Sequence, residues 1–88
     1  MHPKKWQVEI FLYEDGPQTR AEAVLRTESG TEMRHEGLAR RNPVDADVAA
    51  IGDELATARA LSGLAHDLLE ASVADIEANV HRPVHLTS

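Results

Sequence analysis

Cysteine is absent from this chain, and that absence removes disulfides, thiolate metal sites and a cysteine nucleophile together. It suits a reducing compartment. Long apolar runs are missing too. The N-terminal stretch MHPKKWQVEIFLYEDG opens on basic residues as a signal peptide would, but Gln7, Glu9 and Glu14 interrupt its apolar residues. No continuous hydrophobic region forms, so export is not expected. Nothing approaches the ~20 apolar residues that span a bilayer. A cytoplasmic protein with no membrane partner is the expectation.

Basic residues run short in the second half. Residues 1–42 balance seven bases against seven acids, whereas residues 43–80 hold Asp45, Asp47, Asp53, Glu54, Asp67, Glu70, Asp75 and Glu77 against Arg59 alone. That stretch carries −7, and Arg82 brings the chain to its net charge of −6. An acidic half is the wrong sign for wrapping nucleic acid, whose affinity comes largely from Lys and Arg, and suits a solvated helix face.

What is present is a change of period. Residues 5–13 alternate, with Trp6, Val8, Ile10 and Leu12 on one face and Gln7, Glu9, Phe11 and Tyr13 on the other, the mark of a strand. Asp15-Gly16-Pro17 is a turn by its chemistry. Residues 19–28 alternate again, with Ala21, Ala23 and Leu25 on one face; Ser29-Gly30 turns the chain; residues 32–41 place Met33, His35, Gly37 and Ala39 on one face. The pattern predicts a three-stranded antiparallel meander.

Asn42-Pro43 ends the sheet, because proline lacks a ladder donor and pushes its predecessor out of the helical region. A helix is expected over about residues 46–70, capped by Asp45 or Asp47. Val48, Ile51, Leu55, Ala58, Leu61, Leu64, Ala65 and Leu68 recur at three- and four-residue spacing and predict its buried stripe. Ser72 and Asp75 resemble a capping box, predicting a second short helix over residues 73–79 that His81-Arg82-Pro83 closes. The whole chain, 1–88, reads as one α+β domain. Large residues on the first strand and small ones on the next two predict that the helix covers that face. The opposite face carries Phe11, Val24 and Leu38 between rows of charge, a candidate homodimer interface.

GLARRNP, IGDELATARALSGLA, DIEA and the His81-x-Pro83 step together resemble a family of small actinobacterial domains of unknown function. The resemblance covers nearly the whole chain and implies a fold like that of double-stranded-RNA-binding domains, β-β-β-α with a helical C-terminus. It also implies a homodimer. Some relatives are associated with dormancy or stress in mycobacteria, and their shape is likened to ribosome hibernation factors. The family has no established catalytic residues to transfer. His35 stands where it tends to have a second glycine.

The candidate sites are few. Arg34, Arg40 and Arg41 form the one basic concentration and are the candidate contact for RNA or a ribosome. Glu32 and Glu36 interleave with them, as in cross-strand ion pairs on a solvated face. RNA recognition by this fold also needs lysines near a helix N-terminus, where Asp45 and Asp47 stand. His81 and His85 have a metal-binding spacing, but Pro83 lies between them. His66-Asp67 has no Ser or Cys nucleophile in a recognisable pattern. His35 is expected to be a satisfied core histidine. No catalytic, metal or cofactor site and no small-molecule substrate is predicted. The expectation is a non-enzymatic homodimer acting through protein association, with a ribosome- or RNA-associated factor as the alternative.

Overall fold

The computed structural model describes residues 2–41 and 49–80. Within them the chain forms β1 (Gln7–Asp15), β2 (Gln18–Arg26), β3 (Glu32–Arg40) and α1 (Ala49–Val80). The strands make one antiparallel sheet in the order β1-β2-β3, each within two residues of its expected bounds at both ends. Asp15 pairs with Gln18 across a two-residue loop. Gly16 takes a φ of 60° there, and the proline that follows has a preset negative φ, which suits a tight hairpin. At the other hairpin Gly30 has a φ of 89°. Thr27 and Thr31 close that loop, the Thr27 amide donating to the Thr31 carbonyl at 3.0 Å.

The helix departs from expectation in two respects. It is one continuous element of 32 residues, not two helices over 46–70 and 73–79. Ser72 does not cap anything. Its hydroxyl donates to the Leu69 carbonyl at 2.7 Å, a back-bond within a running helix that uses the group a cap would need. The proposed caps Asp45 and Asp47, the stripe residue Val48 and the closing residues 81–83 lie outside the described residues.

The second departure is the buried face. The sheet face is the expected one: Ala21, Ala23, Leu25 and Ala39 are buried beneath α1, with Ile10 and Met33 packed alongside. The helix meets it with Ala56, Ala60 and Leu64, supported by Leu68. Ile51, Leu55 and Leu61, assigned to the buried stripe by spacing, are exposed at 60%, 41% and 41%.

Close approach explains the choice. Gly37 lies directly under the helix, and a Cβ there would run into the Ala56 carbonyl oxygen and the Ala60 amide nitrogen. Backbone rests against backbone at that point, so only small side chains fit around it. One turn later the His35 ring fills the space that a Cβ on Gly63 would occupy. The helix sits over β3 and β2 and barely reaches β1. Trp6 and β1 residues Val8 and Leu12 stay exposed as a result.

Candidate functional site

Four surfaces merit description, beginning with the outer face of the sheet. The register aligns Glu9 with Val24 and Arg34, and Gln7 with Arg26 and Glu32. From these rows grows a chain of charges crossing all three strands. Glu9 meets Arg26, Arg26 meets Glu32 at 3.0 Å, and Glu32 meets Arg34 at 2.6 Å. Arg34 then reaches Glu22 at 2.8 Å, and Arg20 reaches Glu36 at 2.8 Å while lying 4.3 Å over the Tyr13 ring. Hydrogen bonds from Arg34 and Arg26 hold the Glu32 carboxyl below its ordinary value of 4.5, and Glu32 raises the Arg34 guanidinium in turn.

This chain of ion pairs revises two expectations. Val24 is fully buried within the protomer, in the row where Glu9 and Arg34 flank it. Phe11 and Leu38 remain exposed at 38% and 47%. Phe11 stands in the row of Glu22, while Leu38 stands in the row of Arg20. The three apolar residues are staggered among charges and form no continuous band. Arg34 is likewise committed to Glu22 and Glu32. Arg40 is exposed at the far end of β3, and the Arg41 amide donates to the Pro17 carbonyl at 2.8 Å. The fold thus separates Arg34 from Arg40 and Arg41 by most of a strand.

The second surface joins sheet to helix. His35 Nδ1 lies 2.8 Å from Asp67 Oδ2. Both side chains are only partly exposed. His35 has a partner, as expected, but is itself partly exposed rather than buried in the core, and that partner is the neighbour of His66 in sequence. His66 instead lies 3.1 Å from Glu70 one turn along. The Arg59 guanidinium donates to the Leu38 carbonyl at 2.6 Å and makes a second tie between α1 and β3. No group of three metal-ligating side chains exists among the described residues; His81 and His85 lie outside them.

The third is a cleft of about 520 Å³ at the β2–β3 hairpin end. Trp6, Leu25, Met33 and Leu68 line it, with Thr31 and Asp75 among its polar residues. The strand and helix periods do not reveal it, because its walls come from the segment before β1, the β2–β3 hairpin and the C-terminal half of the helix. The one available signal was Trp6, a large aromatic residue on the helix side of the sheet beyond the last small residue.

The fourth is the outward face of α1, where Ile51, Leu55 and Ile76 are exposed. Together with Trp6, Val8 and Leu12 it makes apolar surface the protomer leaves uncovered. Among the described residues no helix is long and apolar enough to cross a membrane.

With this geometry in view, comparison with known proteins is informative. The model of the Rv2632c-like family matches residues 4–85. The chain belongs to the Rv2632c-like family. Uncharacterized protein Rv2632c of Mycobacterium tuberculosis is 48% identical over 81 residues, covering 92% of this chain and 86% of the relative. Uncharacterized protein Mb1767 of Mycobacterium bovis is also 48% identical over 81 residues, covering 92% of this chain and 85% of the relative. The crystal structure of Rv2632c superposes with a TM-score of 0.83 at 46% identity, covering 94% of this chain and 98% of that one. The family is one of small domains of unknown function, and this chain shares its fold with the solved structure of Rv2632c.

Proposed function

We propose that the protein is a non-enzymatic, homodimeric cytosolic factor that acts through protein association, in a stress or dormancy setting, on a fold like that of double-stranded-RNA-binding domains. The observation that carries this reading is the amount of large apolar side chain left in water: Ile51, Leu55, Leu61 and Ile76 on α1, and Trp6, Val8 and Leu12 beside it. Single exposed apolar residues need no explanation, but a run along one element marks an interaction surface. A chain of 88 residues also has a modest core, to which a second copy adds buried area.

The ribosome- or RNA-bound alternative loses support from the outer sheet face. Arg34 is paired there with two carboxylates, and the net charge is −6. Light scattering across a concentration series tests the leading reading, with a mass of twice 9.7 kDa expected. Co-sedimentation with ribosomes that disappears in Arg40→Glu/Arg41→Glu would reverse the ranking.

A further inference from the structure

The outward face of α1 has a period of its own. Ile51, Leu55, Ala58, Ser62, Ala65, Leu69, Ser72 and Ile76 recur at strictly alternating spacings of four and three residues. That is a heptad seam kept for nearly four heptads, the span at which such a pattern argues a coiled coil. Every one of these residues is exposed or half-buried in the protomer, while Ala56, Ala60 and Leu64 on the opposite side are buried against the sheet. A single helix therefore presents two packing faces, and one of them has no packing partner among the described residues.

From this seam we infer that α1 pairs antiparallel with α1 of a second copy, about a twofold axis passing between Ser62 and Ala65. The inference rests on the association reading above and names its surface. The seam is self-complementary when reversed. Ser62 then faces the partner's Ala65, Ala58 faces the partner's Leu69, Leu55 faces the partner's Ser72, and Ile51 faces the partner's Ile76. Large side chains meet small ones in the intermediate layers, and the smallest pair lies at the axis, where crossing helices come closest. Parallel pairing sets each residue against itself. Leu55 and Leu69 would then force the helices apart beside Ser62 and Ala65 layers that pull them together.

The flanks of a reversed partner supply one apolar contact, one opposing charge pair and a signature. Leu61, exposed in the protomer, falls beside the partner's Leu68 and is covered. Glu54 falls beside the partner's Asp75, a like-charge contact repeated at both ends. On the other flank Arg59 falls beside the partner's His66. The antiparallel register therefore predicts a dimer weakened by Glu54 and Asp75, and strengthened when one of them changes sign.

The absence of native cysteine makes disulfide trapping clean. Leu55→Cys and Ser72→Cys proteins, mixed and mildly oxidised, give a cross-linked heterodimer, while each alone gives little covalent dimer. Asp75→Lys lowers the dimer Kd by roughly tenfold, the order expected from two new exposed ion pairs and two repulsions removed. Self-cross-linking of Leu55→Cys alone, or no cross-link from the mixture, overturns the inference, as does an unchanged Kd for Asp75→Lys. If the wild-type protein is nonetheless dimeric by light scattering, the homodimer reading survives that loss. A wild-type monomer at millimolar concentration overturns both.

Discussion

The face of α1 that meets the sheet is made of Ala56, Ala60 and Leu64, with Gly63 beside them, whereas the face turned away carries Ile51, Leu55, Leu69 and Ile76. Burial is usually expected to follow side-chain size, since each buried methylene contributes about 0.8 kcal/mol. Here the order is reversed. The helix gains its contact through proximity to Gly37, and proximity admits only small side chains. Leu64 fits a turn beyond that contact, and the other large residues go where there is room for them, mostly on the far side.

Substitutions on the two faces separate these rules. The largest effect is expected from Gly37→Leu, which places a side chain where the Ala56 carbonyl and Ala60 amide already lie. The loss should be on the order of 5 kcal/mol, the whole stability of many domains this small. Circular dichroism should show no cooperative unfolding, and a wild-type midpoint would mean the helix is not seated there. Next, Leu64→Ala should cost about 2–5 kcal/mol by emptying a site that is 3% exposed. Leu55→Ala, measured in dilute monomer, should cost under about 1 kcal/mol. Equal denaturation midpoints for the two variants would erase the distinction between the faces.

A smaller effect sharpens the point of contact. Gly63→Ala drives a methyl group into the His35 ring and should cost about 1–3 kcal/mol. Adding His35→Ala should recover part of that loss, and a double-mutant cycle with no coupling would count against the contact. The smallest effect belongs to the outer sheet face. The Glu32 carboxyl is held below 4.5 when folded, so its contribution is present above that value and is lost as pH falls below it. Glu32→Gln should flatten that acid-side slope of Tm slightly, and added salt should shrink the difference. A steeper slope in the variant would reverse the assigned sign.

The sheet was legible because alternation leaves few options. Val8, Ile10, Ala21, Ala23, Leu25, Gly37 and Ala39 share one face in sequence and in register, since a slip of one residue would send all of them to the other side. The helix was harder to read. Two apolar stripes coexist on α1, one near a period of 3.6 and one at 3.5, and a search for large residues joins parts of both. Ile51 and Leu55 belong to the outward stripe, Leu64 to the inward one. Only the backbone contact at Gly37 decides between them, and that is a three-dimensional fact. Among the candidate site residues, Phe11, Val24 and Leu38 were placed on the correct face. Their alignment failed because alternation gives the face of a residue but not its row across strands. The pairing of Arg34 was half legible for a related reason: Glu32 was visible beside it, but Glu22, on another strand, was not.

The 32 residues of α1 span about 48 Å by the helical rise, against about 30 Å for a nine-residue strand. The helix is thus longer than any strand of the sheet, and residues 78–80 at its C-terminal end are exposed. Amide hydrogen exchange should register this as a gradient along one helix. Amides near Ala60 exchange only through global opening, while those near Asn79 exchange through fraying that leaves the sheet intact. A bound second helix would slow exchange at Ile76 by covering it, and at Ala60 through the added global stability of the dimer. Deuterium uptake along α1 thus serves as a measure of what the exposed end has found to rest against.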